Sequence, residues 1–285
     1  MNNFIKRTIS GIGFAAVMLA AFLTNEYVYG VVMLLSLVIM MKEFLTMTCG
    51  SNYPYSQVLS ILSGAVLFTL IYMYKAFEFP GRLVILAFVP VFLLMINSLY
   101  LKDKSRFDKF AILYTALMYI AVPWSLLNFA VFNSAGEFNG ILLLCFFCII
   151  WGTDVGAYIF GITLGQKYGK KLFPSISPQK SWIGFWGGML VAVGVCLALY
   201  FTGLFPLRGE SEFYSLIHCV AIAILIDIAG VYGDLIESQW KRHYEVKDSG
   251  TLIPGHGGLL DRFDSALIAI PIGIIYLVAW DVLCL

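Results

Sequence analysis

Eleven of the 17 acidic residues of this chain follow residue 150, and seven of them lie in residues 227–265. Asp227, Asp234 and Lys241 recur there at i, i+7 and i+14, and Ser238 joins them at i+11. On a helix this spacing puts all four residues on one face. The sequence therefore predicts a helix whose polar face carries acids that lead to a base, which indicates a polar cavity and not lipid contact.

The same segment continues through a loop and a glycine-rich turn before the next apolar run. Its further polar and turn residues are, in chain order, Arg242, Lys247, Asp248, His256, Gly257, Asp261, Arg262 and Asp264. Carboxylates are hard oxygen ligands that suit Mg²⁺, and lysine and arginine suit phosphate oxygens. Glycines allow backbone N–H groups to approach a phosphate. This combination indicates phosphoryl or nucleotidyl transfer, in which positioning and charge neutralisation can carry the reaction.

A second group of polar residues lies upstream, in residues 151–188. Asp154 and Tyr158 are one helical turn apart, and Gly161 and Gly165 continue their stripe, which would let a helix or a ligand approach closely. The polar loop that follows contains Lys167, Lys170, Lys171, Ser177, Lys180 and Ser181. An ordinary cytoplasmic loop would explain the lysines, but it would leave Asp154 and the Ser-Pro-Gln-Lys-Ser segment unexplained.

The composition identifies the environment of both segments. Of the 285 residues, 60% are hydrophobic and 12% are charged, whereas soluble domains have about 45–50% and about 25%. A net charge of +1 argues against a nucleic-acid partner. The high hydrophobicity excludes disorder, and six cysteines, several inside apolar runs, do not form a disulfide framework. The chain is therefore predicted to be an all-α, polytopic integral membrane protein.

Nine apolar segments are long enough to cross a hydrocarbon core of about 30 Å, which takes about 20 helical residues. The predicted spans are 8–24, 27–41, 56–74, 83–101, 110–132, 138–163, 181–204, 213–237 and 265–283. The second span is the weakest of them, because Lys42 and Glu43 crowd its end.

The basic residues predict the orientation, because lysine and arginine collect in cytoplasmic loops. With nine spans, a cytoplasmic N-terminus and an outside C-terminus, only Lys75, Arg82 and Arg208 face outward. We expect one membrane domain across the whole chain, with scaffold helices in 1–137 and catalytic helices and cytoplasmic loops in 138–285.

The polar residues of the second half resemble the signature of the phosphatidate cytidylyltransferases, also called CDP-diacylglycerol synthases. The long match reads Ser238-x-x-Lys241-Arg242-x-x-x-x-Lys247-Asp248-x-Gly250-x-x-Ile253-Pro254-Gly255-His256-Gly257-Gly258-x-x-Asp261-Arg262-x-Asp264. The upstream segments Asp154-x-x-Ala157-Tyr158-x-x-Gly161 and Ser177-Pro178-x-Lys180-Ser181 are similar to that family's second conserved region. The resemblance covers residues 151–265, and the earlier spans agree only in hydropathy and layout.

The resemblance implies an enzyme that transfers CMP from CTP to phosphatidate and releases diphosphate, a step of phospholipid biosynthesis. It implies a requirement for Mg²⁺, alone or with a second cation, at the cytoplasmic face of the inner membrane. The implied partners are CTP, phosphatidate and membrane lipids, and a homodimer remains open.

Combined with the residue types, the resemblance assigns candidate roles. The candidate catalytic residues are Asp234, Lys241, Arg242, Asp261 and Arg262. The candidate cation ligands are Asp234 and Asp261, followed by Asp264 and Asp248. The candidate substrate-binding residues are Asp154, Tyr158, Ser177, Lys180, Ser238, Lys247, His256 and Gly257.

Two charged positions of the family pattern, which usually reads Ser-Pro-Lys-Lys-Thr-x-Glu-Gly, are uncharged in this chain. Here Gln179 replaces a lysine, and Ile183 stands where a glutamate is expected. The remaining pattern is intact, so we expect an active enzyme, and no role passes to an acid at position 183.

Two other functions use similar residues. An ion-coupled transporter also needs acids and glycines within the membrane, but its acids would be distributed over the whole membrane depth. A CTP-dependent lipid kinase would release CDP and a phospholipid instead of diphosphate and a CDP-lipid.

Three single residues also leave alternatives open. Glu237 can bind a cation or pair with Lys241 at i+4. His256 can bind phosphate or hold a turn. Asp227, which lies deeper, can serve the site or only tie helices together.

Overall fold

The computed structural model describes residues 3–101, 107–133, 135–207 and 211–282. Seven helices precede residue 140: α1 (Asn3–Leu23), α2 (Glu26–Cys49), α3 (Pro54–Ala76), α4 (Phe88–Asn97), α5 (Phe110–Ala116), α6 (Val122–Leu126) and α7 (Asn128–Val131). Six follow: α8 (Ile141–Phe160), α9 (Gln166–Tyr168), α10 (Trp182–Phe201), α11 (Glu212–His243), α12 (Leu260–Phe263) and α13 (Ala266–Ala279).

Shorter elements complete the secondary structure. The 3₁₀ segments are Gly81–Ala87, Ser98–Tyr100 and Phe107–Lys109, and the π-helical turns are Leu117–Ala121 and Gly161–Gly165. Strands β1 (Lys171–Phe173) and β2 (Ser177–Ser181) form an antiparallel hairpin. In its register Lys171 lies opposite Ser181, and Phe173 lies opposite Ser177.

Eight helical segments of the described residues are long and apolar enough to cross a membrane. They are Glu26–Cys49, Pro54–Ala76, Gly81–Tyr100, Phe110–Val131, Ile141–Tyr168, Trp182–Phe201, Glu212–His243 and Leu260–Ala279. A shorter apolar helix covers Arg7–Leu23. The prediction of an all-α polytopic membrane protein is confirmed, while the count of nine spans and the sides of the two termini stay predictions. Arg208 and residue 283, the end of the predicted ninth span, lie outside the described residues.

The chain falls into two compact units that are discontinuous in sequence. Unit 1 comprises Met1–Asn139 and Tyr244–Phe263, and unit 2 comprises Gly140–His243 and Asp264–Leu285. The expectation of one membrane domain, with a scaffold half and a catalytic half, stays a prediction.

Unit 1 is built around α2, which packs against α1 and α3. Trp124 is fully buried and donates its indole N–H to the Met33 carbonyl on α2, at 2.9 Å. The ring centroids of Phe263 and Trp124 are 4.7 Å apart, and α12 contacts α2 directly. These contacts hold the segment 244–263 against α2, although 194 residues lie between the two in sequence.

Unit 2 is built on the close packing of α8 against α10, and α11 packs against α10, α13 and α8. Glycines permit the short distance between α8 and α10. A Cβ atom on Gly156 would lie 2.7 Å from Val191 Cγ2, and one on Gly184 would lie 3.0 Å from the Ala157 carbonyl oxygen. Small residues of this kind let membrane helices approach closely.

We predict that Gly156→Ala destabilises unit 2. The added methyl group would collide with Val191, and overpacking of this kind costs about 1–3 kcal/mol. Gly194→Ala is the matched control on α10, because nothing lies within 4 Å of its Cβ position, and alanine is favoured over glycine in helices by about 1 kcal/mol. In detergent, the thermal unfolding midpoint of Gly156→Ala should lie below that of wild type, and the midpoint of Gly194→Ala should equal or exceed that of wild type. Equal midpoints for the two variants would contradict the packing.

Candidate active site

Unit 2 contains a cavity of about 270 Å³. Its polar lining residues are Thr153, Asp154, Tyr158, Gln166, Gln179, Lys180, Ser181, Asp234 and Ser265. Its apolar wall includes Ala157, Ile162, Leu172, Phe185 and Val231. The cavity therefore gathers four residues that the sequence marked as candidates: Asp154, Tyr158, Lys180 and Asp234.

An ion pair between Lys180 and Asp234 lies in this cavity. The distance from Lys180 Nζ to Asp234 Oδ2 is 2.6 Å, and the two side chains are 26% and 33% exposed. Ser238, one turn further along α11, donates its hydroxyl to Asp234 Oδ1 at 3.1 Å. The carboxylate is thus neutralised by a lysine of the hairpin and oriented by its own helix, while both charges remain accessible to a ligand.

Two contacts hold strand β2 on either side of Lys180, and they place this lysine. Ser181 ends β2 and caps α10, with the Gly184 N–H donating to its hydroxyl at 3.2 Å. A serine in this position satisfies one of the free N–H groups of a helix start. At the other side, Gln166 Nε2 donates to the backbone carbonyl of Gln179 at 3.0 Å.

The two departures from the family pattern and the candidate Ser177 lie in this region. Ser177 begins β2 and is half-buried. Gln179 is exposed and lines the cavity, whereas Ile183 is half-buried in the first turn of α10.

Further acids of unit 2 surround Asp234. Asp154 is exposed on α8 and lines the cavity. Asp264 is partly buried, accepts the Ser265 N–H at 2.6 Å, and lies within electrostatic range of both Asp234 and Asp154. Like charges at this range repel one another and favour a cation between them.

Asp227 lies deeper and is fully buried. A Cβ atom on Gly188 of α10 would be 3.2 Å from its Oδ1 atom. The structure therefore places Asp227 against α10, outside the group of residues that line the cavity, in the position expected for a residue that ties helices together.

Glu237 and Lys241 form an ion pair on α11. The Glu237 side chain has no exposed surface, and the Lys241 side chain is 15% exposed. Of the two alternatives for Glu237, the structure thus contains the pairing with Lys241. The next residue, Arg242, is exposed and lies near the hairpin, with Nε 3.4 Å from the Ile176 carbonyl oxygen. Two adjacent bases therefore have different environments, one buried against an acid and one open to ligands.

In unit 1, the Asp261 carboxylate connects the two ends of the glycine-rich loop, residues 249–258. Its carboxylate accepts the Ser249 N–H at 3.1 and 3.0 Å and the Gly258 N–H at 2.7 Å. Gly257 has φ +86°, and a Cβ atom there would lie 2.6 Å from Asp261 Oδ2, so both its backbone conformation and its space require glycine. The same Cβ would lie 3.2 Å from Asp248 Cβ. Asp248, Gly257 and Asp261 are therefore neighbours in unit 1.

His256 is fixed by the first helix. Ser10 of α1 donates to the Pro254 carbonyl at 3.0 Å, and its hydroxyl lies 3.1 Å from His256 Nδ1. This is the environment of a turn histidine. Lys247 and Arg262 are exposed in unit 1 and are accessible to an anionic ligand, whereas the exposed Asp248 suits a cation.

Glu43 is a residue of this loop's environment that the sequence analysis missed as a candidate. It lies near the end of α2, and its two carboxylate oxygens accept the N–H groups of Leu259 and Leu260 at 3.0 and 2.9 Å. The available signal was an acid within an apolar span, because such residues are costly and mark function by default.

The residue types in both units suit Mg²⁺. Among the described residues, no three His, Cys, Asp or Glu side chains form a ready-made metal site. Mg²⁺ commonly takes one or two protein carboxylates and completes its coordination with water and substrate phosphates. Asp264 has two acids within electrostatic range, Asp234 and Asp154, and a carboxylate such as Asp261 has about four acceptor positions. These oxygen donors fit a magnesium ion.

A sequence model of the family described as "Cytidylyltransferase family" matches residues 5–280. The chain belongs to the cytidylyltransferase family. It is an enzyme, a nucleotidyltransferase, and the resemblance found in the motifs is confirmed.

Several relatives of this family member carry the name phosphatidate cytidylyltransferase. The protein from Bacillus subtilis (strain 168) is 35% identical over 207 residues, which cover 72% of each chain. The protein from Rickettsia bellii is 40% identical over 156 residues, or 55% of this chain and 64% of the relative. That from Staphylococcus haemolyticus is 36% identical over 165 residues, or 58% and 60%.

We predict that Lys241→Met lowers the stability of this cytidylyltransferase far more than Arg242→Met. Removing Lys241 strands the buried Glu237 carboxylate, and an uncompensated buried charge costs about 3–5 kcal/mol. Arg242 is exposed, so its replacement should stay within about 0.5 kcal/mol of wild type. The free energy of unfolding in mixed micelles is the quantity to compare between the two variants and wild type. Adding Glu237→Gln to Lys241→Met should recover part of the loss, and equal losses in the two single variants would contradict the pairing.

Proposed function

We propose that the chain is a phosphatidate cytidylyltransferase, which transfers CMP from CTP to phosphatidate and yields CDP-diacylglycerol and diphosphate for phospholipid biosynthesis. The structural observation that supports this proposal most is the cavity of unit 2, where the Lys180–Asp234 pair lies beside an apolar wall. Family membership supports the transfer of a cytidylyl group, and the names of the relatives support the lipid acceptor.

The polar side of the cavity suits the phosphates. In the proposed reaction, an oxygen of the phosphatidate phosphate forms a bond to the α-phosphorus of CTP, the bond between the α- and β-phosphates breaks, and diphosphate leaves. Lys180 is only 26% exposed but remains accessible, so it can exchange Asp234 for a phosphate oxygen when substrate enters. Arg242 can add a second positive charge from the end of α11. Lys247 and Arg262, which are exposed in unit 1, stay candidate phosphate ligands.

The acids would hold Mg²⁺. In unit 2 these are Asp234 and Asp264, and in unit 1 they are Asp261 and Asp248. A bound magnesium ion supplies charge stabilisation for the phosphates as diphosphate leaves. Ser238 keeps Asp234 oriented through its hydroxyl. A second cation remains part of this proposal.

The apolar side of the cavity suits the lipid. Ile162, Leu172 and Val231 form part of the wall, and Tyr158 is 68% exposed at its lining. A cavity lined by both polar and apolar residues matches a substrate that joins an anionic phosphate to acyl chains. The long apolar helices make the chain an integral membrane protein.

We further propose that the site faces the cytoplasm from the inner membrane, where CTP is available, since the loop around the hairpin carries Lys167, Lys170 and Lys171. CTP, phosphatidate and membrane lipids are the proposed partners. A net charge of +1 leaves no nucleic-acid partner in this proposal, and a homodimer would be compatible with it. The family membership supports neither the lipid kinase nor the transporter.

Label transfer tests the reaction. We expect purified protein with phosphatidate and Mg²⁺ to move the α-phosphate label of CTP into a chloroform-soluble lipid and the γ-phosphate label into diphosphate. A lipid kinase would move the γ label into the lipid. An excess of EDTA should stop the transfer, and added Mg²⁺ should restore it. Transfer of the γ-phosphate label into the lipid would overturn the proposal, and so would the absence of labelled lipid when the purified protein is folded.

We predict that Asp234→Asn and Asp261→Asn each reduce kcat by more than about 100-fold, because a neutral amide loses the charge that holds a cation near the phosphates. Asp281→Asn is the matched control, since Asp281 is exposed beyond the end of α13. The label-transfer assay measures kcat, and thermal unfolding confirms that the variants remain folded. Near-normal turnover by a folded Asp234→Asn protein would remove Asp234 from the site.

A further inference from the structure

Glu43 is an acid near the end of α2, next to Lys42, and its carboxylate accepts hydrogen bonds from a distant part of the backbone. Each of its oxygens accepts one N–H group, from Leu259 to Oε1 and from Leu260 to Oε2. The acid and these two donors are separated by 216 and 217 residues in sequence. N–H groups at the start of a helix have no partner within it, and Glu43 supplies both partners at the start of α12 from outside.

The loop is shaped to receive this carboxylate. A Cβ atom on Gly250 would lie 2.6 Å from Glu43 Oε1, and one on Gly258 would lie 2.7 Å from Oε2. Real Cβ atoms do not occur at such distances from a neighbouring atom, so both positions need glycine for Glu43 to fit. Two glycines from different parts of the loop thus leave space for one side chain of α2, and this argues for a specific docking contact.

The contact lies directly beside Asp261. Leu260, which donates to Glu43, is the residue before Asp261, and Gly258 and Ser249 donate to the Asp261 carboxylate. Asp261 itself is 8% exposed. Glu43 therefore fixes the backbone from which the Asp261 side chain extends, and the Asp261 carboxylate closes the loop from the other side.

We propose that Glu43 is a positioning residue of the reaction, which acts through Asp261. Glu43 is not a phosphate ligand, because a carboxylate and an anionic phosphate repel each other, and its oxygens accept the backbone N–H groups that precede Asp261. It sets the position of the Asp261 carboxylate, which the proposed function assigns to a cation. This inference rests on the function proposed above, because the role of Asp261 belongs to that proposal.

Two variants and a matched control test the role. Glu43→Gln keeps the size of the side chain but offers one acceptor oxygen and one NH₂ group, which opposes the second N–H donor. Glu43→Asp retains both acceptor oxygens on a shorter side chain. Glu26→Gln makes the same chemical change in the first turn of α2, about 26 Å away along the helix.

The kinetic result should separate positioning from general stability. Loss of a residue that orients a metal ligand typically reduces metal affinity or activity by about 10–100-fold, and we expect Glu43→Gln to lower kcat within that range. The Mg²⁺ concentration for half-maximal rate should rise by at least about 5-fold, because the expected loss passes through the metal ligand. The KM for CTP should change little. Glu43→Asp should recover part of kcat, and Glu26→Gln should match wild type.

Hydrogen–deuterium exchange supplies a readout that needs no turnover. Without nucleotide, lipid or Mg²⁺, Glu43→Gln should accelerate exchange at the amides of Leu259 and Leu260, since their acceptor is impaired. The amides within α11 should exchange as in wild type. Glu26→Gln should leave the exchange of the loop unchanged, and Glu43→Asp should give an intermediate rate.

The outcomes are distinct. Wild-type kcat and Mg²⁺ dependence in a folded Glu43→Gln protein would overturn the proposal, and so would a loss of rate that only follows the folded fraction. If Glu43→Gln does not fold, Glu43→Asp must show the raised Mg²⁺ requirement, and its absence overturns the proposal. Failure of wild type to form CDP-diacylglycerol would refute the proposed function itself. In that case unchanged exchange at Leu259 and Leu260 in Glu43→Gln would also refute the anchoring contact.

Discussion

The need to compensate carboxylates in an apolar protein determines the arrangement of polar groups in both units. An acid that leaves water is costly unless it gains a cation or hydrogen-bond donors, since an uncompensated charge is expensive there. Asp234 gains Lys180, and Glu237 gains Lys241. Asp261 and Glu43 gain backbone N–H groups instead. The acids differ in how exposed they are. An exposed acid can exchange its partner for a ligand, whereas a buried acid keeps its partner and stabilises the fold.

The two ion pairs that involve α11 differ in the exposure of their side chains. The Lys180–Asp234 pair connects a hairpin to a helix within a cavity, and both side chains are about one-quarter to one-third exposed. Such a pair can open when a phosphate competes for the lysine. The Glu237–Lys241 pair lies within one helix, and its acid is fully buried. A motif of charged residues therefore contains both ligand-binding and structural charges, which sequence spacing alone does not separate.

The periodic part of the structure was predictable from sequence, and the long-range part was not. The spacing of Asp234, Ser238 and Lys241 predicts one helix face, and the structure has all three on α11. Motif order likewise marked the region around Lys180, although the β-hairpin that carries it was not predicted. The contact of Glu43 with Leu260 bridges 217 residues, and no local period reports such a pairing. It depends on how α2 packs against α12, which is decided by tertiary contacts.

The substitution of Gln179 for the usual family lysine bears on how the hairpin works. At this position the contact with Gln166 uses the backbone carbonyl of residue 179, so any side chain preserves it. The charge that pairs with Asp234 comes from Lys180, which this chain retains. Losing the neighbouring lysine therefore removes one positive charge from the cavity lining while leaving both the anchoring and the ion pair. The hairpin tolerates change at position 179 because its geometry depends on main-chain hydrogen bonds and on the Ser181 cap. Position 180 differs, because the ion pair with Asp234 requires the lysine side chain itself.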